Sequence, residues 1–524
     1  VQLFGILVSK GVVQIEILGK KLMKKIIINS NPWQTRIAIT LNDTLENVYF
    51  STHTQEILER SFFKGLVTKV LPGIQTAFVE IGREKAGFLH ISEIDREMAI
   101  ENMSKFAQIE FDETSRKKLR YQRPNIAKII KEGDSILVQV SKEPVYEKGA
   151  KLTTCFTLPG RFFVLTPNIP RLGVSKKVED REERKRLKDI VQAHLPEGMG
   201  GIIRTTSEGR STPEITEDIR YLIKTWNNIQ KKFDAAQQQE KIYEDIPLSL
   251  QVVRDYLDDD VEVVIIDDKK KQLELYTFIK SIAPEHAFKV KLYNNPTPIF
   301  KAFDIEQQIE TALEKKVSLR SGGSLVIEST EAMTVVDVNT GKFIGKANLE
   351  DTIFKTNLEA AEEIARQLRL RNIGGLIVID FIDMAIISNR RKLYNFLEKI
   401  LRERDKFQSV VLKVSEFGLV QMTRKRSGKT LIQQLMQICP TCSGLGVISA
   451  IQTDSFTILR AIELELEKLK GTKEIEIGIN PMVFDYLSSV EYNAIFSLEK
   501  LHKAKITLHS DPKLKTTQYK IVKK

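Results

Sequence analysis

The sequence predicts a multidomain protein of α/β and α+β layers, and three observations carry that reading. At 524 residues the chain is too long for a single hydrophobic core and points to about three to five domains. A stretch punctuated by Gly and Pro at 61–92 reads as a small all-β module. From about Leu248 to Ile299, strands such as VEVVIID alternate with short helices, as they do in an α/β layer.

Residues 1–22 precede the first methionine, Met23, and read as a leader of doubtful translation. Lys10, Glu16 and Lys20 interrupt the apolar run that a secretory signal needs, so export is not expected. Residues 61–92, SFFKGLVTKVLPGIQTAFVEIGREKAGFLHIS, resolve into three short strands separated by Pro-Gly and Gly-Arg-Glu turns. Phe78 and Phe88 fall on adjacent strands with Lys85 nearby. An OB-type barrel offers aromatic rings and positive charge to single-stranded nucleic acid in this way; burial of both rings in the core is the competing reading. A polar stretch from about Asp95 to Asn125 reads as an inserted loop or helix within the barrel, after which the strand ILVQVSK resumes the pattern.

Farther along, KKVEDREERKRLKDIVQAHL is a charged helix and EGMGGIIRTT a glycine-led strand. STPEITEDIRYLIKTW then starts a helix, with Ser211 or Thr212 as N-cap and Pro213 in the first turn. Arg204 and Thr205 close the strand. A guanidinium beside a hydroxyl can hold a terminal phosphate, although a plain solvated strand end has the same composition.

SGGSLVIESTEAMTVVDVNTG reads as two strands joined by a tight turn, with Asp337 and Asn339 at the exit of the second. A helix over about 351–371 carries an apolar stripe at Ile353, Phe354, Leu358, Ala361, Ile364, Ala365 and Leu368, and Arg366, Arg369 and Arg371 on its other face. Gly374 and Gly375 end it, and LIVIDFID delivers Asp380. Asp337 and Asp380 each interrupt an apolar run that reads as a buried strand. An ionised carboxylate is costly to bury unless compensated, and a divalent cation shared by two Asp beside a phosphate is the usual compensation. Such a cation polarises the phosphoryl group and acidifies a bound water; Asn339 would hold phosphate or water and Asp383 would support. A structural salt bridge accounts for two such Asp equally well. The pattern points to a metal-dependent nuclease.

A net charge of +11 with 28% charged residues calls for a polyanionic partner such as RNA, DNA or an anionic surface. No apolar stretch approaches the roughly 20 residues that span a bilayer. RSGKT at 426–430 resembles the end of an ATP-binding phosphate loop but fails its spacing, because Thr423 stands where glycine is required. Arg424, Lys425 and Arg426 read instead as contacts to RNA backbone, or as a solvated basic face. Three cysteines, two of them close together, argue against a disulfide framework and favour a reducing compartment. Cys439 and Cys442, in CPTCSGLG, have the spacing of half a zinc ribbon, while Cys155 lies far from them in the sequence, in TTCFTLPG. Knuckles from two protomers would complete a four-cysteine site and make the protein a homodimer; a redox pair or inert thiols are the alternatives. Heavy use of Lys and Ile suggests an A+T-rich genome, in a bacterium or a plastid.

The segments STEAMTVVDVNTGK, TNLEAAEEIARQLRLRNIGGLIVIDFIDM, FGLVQMTRKR and CPTCSGLG closely resemble the catalytic half of the ribonuclease E/G family. The resemblance runs from about Met23 to about Gly446 and fades beyond. It implies Mg²⁺-dependent endonucleolytic cleavage of single-stranded A/U-rich RNA, giving 5′-phosphate and 3′-hydroxyl ends and stimulated by a 5′ monophosphate. The transcripts processed or degraded would include rRNA, tRNA and polycistronic mRNA. By the same resemblance Asp337 and Asp380 are the Mg²⁺ ligands, with Asn339 as catalytic support. Phe78, Phe88 and Lys148 grip RNA, and Arg204 and Thr205 sense the 5′ phosphate. Cys439 and Cys442 share Zn²⁺ between the protomers of a dimer or tetramer.

The fold so implied places an OB-type RNA-binding barrel (61–154, with its insertion) within a discontinuous RNase H-like layer (23–60 and 248–312). A 5′-sensor region (155–247), a DNase I-like catalytic domain (313–434), a zinc link (435–448) and a small C-terminal domain (449–524) complete it. Two departures are expected to matter. The stretch near 95–125 enlarges the barrel, and no long scaffold tail is seen for helicase, enolase or exonuclease partners. The compact form resembles cyanobacterial and plastid members, which with the residue bias favours a chloroplast stroma over a bacterial cytoplasm. The rival readings are a noncatalytic RNA-binding scaffold that kept the fold, and a metal-dependent exonuclease.

Overall fold

The computed structural model describes residues 8–9, 12–13, 23–52, 58–95, 97–98, 100, 109–111, 125–144, 149–341, 349–415, 418–426, 428–468 and 473–523. The chain divides into two units, residues 1–434 and 435–524. Apart from the strand pair Val8–Ser9 and Val12–Val13, the leader lies outside the described residues, and so does Lys148.

Three successive isoleucines in Lys24–Ser30 are explained by a sheet covered on both faces. Ile26 and Ile28 pack with Ile37, Val253, Leu275 and Ile279 on one side. Ile27 points the other way, with Ala38, Leu45, Phe300 and Ile305, because successive strand side chains alternate. The strand order is Val290–Leu292, Val261–Ile266, Lys24–Ser30, Gln34–Leu41, Thr44–Thr52. The first three run parallel and the rest antiparallel, so segments far apart in sequence share one sheet.

Between those segments lies a closed five-stranded barrel. Its strands are Phe62–Leu71, Thr76–Glu80, Gly87–His90, Lys151–Thr153 and Ser135–Lys142, the last pairing back onto the first. Phe63, Ala77, Val79 and Leu89 fill the interior. At Gly65 a Cβ would sit 2.4 Å from the Val79 side chain, so only glycine lets this strand cross the packed interior. The inserted stretch contributes Ile109–Phe111, which pairs with Leu172–Ser175. That short strand joins the edge of the next sheet, while residues 97, 98 and 100 of the same stretch are helical.

That next sheet runs Leu158–Pro159, Phe163–Thr166, Gly200–Ile203, Leu172–Ser175, Ile109–Phe111, and it packs with helices Arg181–His194 and Thr212–Ala235. Ser211 is the N-cap of the second helix, in a reciprocal capping box with Glu214, and Pro213 lies in the first turn.

The last sheet of the first unit runs Lys316–Ser318, Ser324–Ser329, Met333–Asn339, Gly375–Asp380, Leu419–Arg424, Ser409–Val411. Only Met333–Asn339 and Gly375–Asp380 are parallel neighbours, joined across the helix Leu349–Leu370. Ala360, Ala361, Ile364, Ala365 and Leu368 of this helix pack with Ile377, Ile379 and Leu397. Its arginines do not face solvent as the helical pattern suggests. Arg369 and Arg371 are only 8% and 2% exposed. Arg366 donates to the Leu45 carbonyl at 2.7 Å and Arg369 pairs with Glu46, so these cations fasten the helix to the first sheet.

Residues 435–524 form a separate core. Helices Ile451–Lys468, Pro481–Ser489 and Tyr492–His502 accompany a sheet ordered Ala504–Ser510, Lys473–Ile479, Tyr519–Lys523. Ile462, Leu466, Ile475, Ile477 and Leu487 are buried together. Among the described residues no helix is long and apolar enough to cross a membrane.

Candidate active site and nucleic-acid interface

Asp337 and Asp380 are register partners on adjacent parallel strands, which places their Cα atoms about 4.8 Å apart by ordinary strand spacing. They are not buried, as the apolar runs around them imply. Along Met333–Asn339 the even-numbered residues Thr334, Val336 and Val338 are buried, and Met333, Val335, Asp337 and Asn339 are exposed. The sheet has one covered face and one open face, and both carboxylates stand on the open one. Solvation thus lowers the cost of their charge. What remains is mutual repulsion: slight desolvation first, then the charges of Asp337 and Asp383, push the Asp380 carboxyl up from its ordinary value. The Asn339 amide donates to Asp337 Oδ2 at 2.7 Å, fixing that carboxylate.

The loop after Asp380 is held by residues that sequence reasoning did not single out. Asn357, fully buried on the helix Leu349–Leu370, donates to the Ile382 carbonyl at 2.8 Å and accepts the Ile382 N–H at 3.1 Å. Glu350 accepts the backbone N–H groups of Ala385 and Ile386 at 3.2 and 3.1 Å. Gly418 sits at φ +77°, where a Cβ would lie 2.8 Å from Asp383 Oδ1. The available signal was a buried polar residue within an amphipathic helix: Asn357 interrupts the apolar stripe between Phe354 and Ala361. Arg424 was misplaced by its basic neighbours. It is buried and bidentate to Asp405 at 2.6 and 3.1 Å, with a further bond to the Ile373 carbonyl at 2.6 Å, so it does not reach RNA. Lys425 and Arg426 are exposed.

On the barrel, Phe78 and Phe88 are direct cross-strand partners, both half-buried on the outer wall, so neither is core. Lys69 pairs with Phe78 and Lys151 with Phe88, so a row Lys69, Phe78, Phe88, Lys151 crosses four strands. Within this row Lys69 is exposed, whereas the Lys151 ammonium is paired with Glu93.

Arg204 and Thr205 sit where the strand Gly200–Ile203 gives way to a short turn. Arg204 Nη1 donates to the Gly160 carbonyl at 2.6 Å and to Asp255 Oδ1 at 2.9 Å. Thr205 Oγ1 donates to Ser175 Oγ at 3.2 Å. Burial would raise the Asp255 carboxyl, but Arg204, Arg254 and Lys406 outweigh it and hold it far below the usual carboxylate range.

Cys439 is exposed, Cys442 is half-buried and Cys155 is buried elsewhere. Backbone N–H groups of Cys442 and Thr441 lower the Cys439 thiol from its ordinary value, and the Gly446 N–H points at Cys442 Sγ at 3.4 Å. Two thiols wrapped by amides suit a soft cation but supply only two of four ligands. Among the described residues no three His, Cys, Asp or Glu side chains gather closely enough to enclose an ion. Two carboxylates with waters and phosphate oxygens suffice for Mg²⁺, so Asp337 and Asp380 fit that ion.

The Ribonuclease E/G family matches residues 157–427, and its thioredoxin-like domain matches residues 438–524. Ribonuclease G of Escherichia coli K12 is 36% identical over 95% of this chain and 99% of its own length. Ribonuclease G of Haemophilus influenzae is 37% identical over 94% and 97%, and Ribonuclease E of E. coli K12 is 36% identical over 91% and 44%. The chain belongs to the ribonuclease E/G family. It is an endoribonuclease, and its substrate is RNA. The similarity does not fade after residue 446, as the quoted motifs suggest; it continues through the last sheet.

Proposed function

We propose that the protein is a Mg²⁺-dependent, 5′-phosphate-stimulated endonuclease of single-stranded A/U-rich RNA. The observation that carries this reading is the register pairing of Asp337 with Asp380 on an open sheet face, beside the charge of Asp383. Asp337 and Asp380 would hold the ion, which when bound acidifies a water and polarises the scissile phosphate. Asn339 keeps Asp337 oriented through its 2.7 Å bond, while Asn357 and Glu350 hold the loop that follows Asp380. Phe78 and Phe88 stack bases on the barrel wall, and Lys148 is assigned to the same grip. Arg204 and Thr205 receive the 5′ phosphate.

The four larger sheets of the first unit then correspond to the RNase H-like layer, OB-type barrel, 5′ sensor and DNase I-like domain. Cys439 and Cys442 would hold Zn²⁺ with the same pair from a second copy, in a dimer or tetramer. Cys439→Ser is expected to lose zinc and shift light scattering toward monomer; an unchanged zinc-free dimer refutes the shared site. A place in processing and decay of rRNA, tRNA and polycistronic mRNA follows from the family, and a plastid stroma from residue bias, although the relatives named above are bacterial.

The test is cleavage of an internally labelled A/U-rich RNA bearing a 5′ monophosphate or 5′ hydroxyl, with Mg²⁺ or EDTA. Discrete internal products that need Mg²⁺ and form faster from the monophosphate are expected. Binding without cleavage would favour the noncatalytic scaffold, and progressive shortening from an end would favour an exonuclease.

A further inference from the structure

Two separate hydrogen-bonded routes leave the sensor residues and arrive at neighbouring positions of one loop. From Arg204, Nη1 reaches Asp255 Oδ1 at 2.9 Å, and the Asp255 carbonyl accepts Lys406 Nζ at 2.6 Å. From Thr205, Oγ1 reaches Ser175 Oγ at 3.2 Å, which also accepts the Lys177 N–H at 3.3 Å; Lys177 Nζ then donates to the Asp405 carbonyl at 2.7 Å. Lys406 is further fixed over the Tyr256 ring, 3.1 Å from its centroid.

Asp405 and Lys406 join the helix Ile387–Arg404 to the strand Ser409–Val411 of the sheet that carries Asp337 and Asp380. The Asp405 carboxylate is bidentate to Arg424, with both side chains 1% exposed. Arg424 ends the strand Leu419–Arg424, whose other end, Leu419, is the register partner of Asp380. A buried bidentate pair cannot stretch without stranding a charge, so a displacement of the loop is passed on to the strand.

We propose that Asp405 and Lys406 are the junction through which a 5′ phosphate acts on the catalytic sheet, an inference that rests on reading Arg204 and Thr205 as the phosphate site. The switch is a competition for one guanidinium. Without RNA, Arg204 is held by Asp255. A phosphate dianion draws Arg204 toward itself, and Asp255, still bound to Arg254 Nε at 3.2 Å, changes its hold on Lys406. Lys177 and Lys406 are positioning residues in this scheme, since neither touches the reacting phosphate.

The test uses the full chain with Mg²⁺ and labelled RNA, and reads the ratio of kcat/KM for 5′-monophosphate over 5′-hydroxyl substrate. Lys406→Met and Lys177→Met are each expected to lower that ratio by roughly five- to tenfold, in the ordinary range of coupling between sites. The 5′-hydroxyl rate should stay near the wild-type value, and Lys406→Arg should retain the preference. A preference that survives both methionine substitutions overturns the proposal, as does a parallel fall of both rates, which marks a merely structural role. Arg204→Gln in the same assay separates this failure from that of the sensor. If wild type shows no preference, or Arg204→Gln keeps it, the sensor reading itself falls and the junction with it.

Discussion

Asp380→Asn separates chemistry from architecture, because the two predict effects of opposite sign. The substitution keeps the side chain's shape and removes one of the charges gathered by Asp337, Asp380 and Asp383. The Asp380 carboxyl is raised in the fold, so its favourable contribution is present below the unfolded pKa and is lost as pH rises through the folded value. At neutral pH the metal-free protein therefore carries an ionised Asp380 at a small cost, and asparagine relieves it. Since the residue is exposed, the stability change should be neutral to favourable and within about 0.5 kcal/mol. Activity should move the other way. A bound divalent cation supplies several kcal/mol of transition-state stabilisation and each 1.4 kcal/mol is about tenfold, so cleavage should fall about a thousandfold or more. Single-turnover cleavage and a thermal melt with and without Mg²⁺ read both quantities. Mg²⁺ should raise the melting temperature of wild type and not of the variant, and RNA binding should persist. A variant that cleaves at the wild-type rate, or one whose inactivity tracks unfolding, refutes the ligand assignment.

Asp405→Asn leaves Arg424 buried with an uncompensated charge and should destabilise the protein by about 3–5 kcal/mol, seen as a depressed calorimetric transition; the apolar pair Asp405→Leu with Arg424→Met should recover most of it. Phe88→Ala should weaken binding of single-stranded RNA by about 1–3 kcal/mol in fluorescence anisotropy, with little change in the melt because the ring is half-exposed. The raised Asp380 carboxyl means that Mg²⁺-dependent cleavage should fail on acidification at a higher pH than an isolated aspartate allows. Asp383→Asn removes one cause of that shift and should move the acid limb of the kcat/KM profile downward; an unmoved limb would show that Asp383 is not coupled to the site.

Much of the layout was readable because alternation and punctuation are local. The Pro-Gly and Gly-Arg-Glu turns delimited three barrel strands, and the Ser-Thr-Pro run at 211–213 marked a helix start. The arginines on Leu349–Leu370 show where this fails. Periodicity can say that Arg366 and Arg369 lie off the apolar stripe, but not that the Leu45 carbonyl and Glu46 wait on that side. Arg424 failed for the same reason, since its partner Asp405 lies on another element. The strand Ile109–Phe111 was unreadable because its edge partner follows some sixty residues later.

Composition, motif spacing and strand punctuation were enough to mark a basic, multidomain chain with a polyanionic partner and with Asp337, Asp380 and the cysteine knuckle as its chemical landmarks; RNA as that partner came from the family resemblance. They could not say which face of a strand stays open, because apolar runs look alike whether one side or both are covered. Folding decided that: it left one side of the sheet that carries Asp337 and Asp380 uncovered, paired the two in register, and turned both into solvent. It also linked the loop at Asp405 and Lys406 to Arg204 through Asp255 and to Thr205 through Ser175 and Lys177. Neighbours of that kind are set by long-range pairing between elements, and local residue preferences carry no record of them.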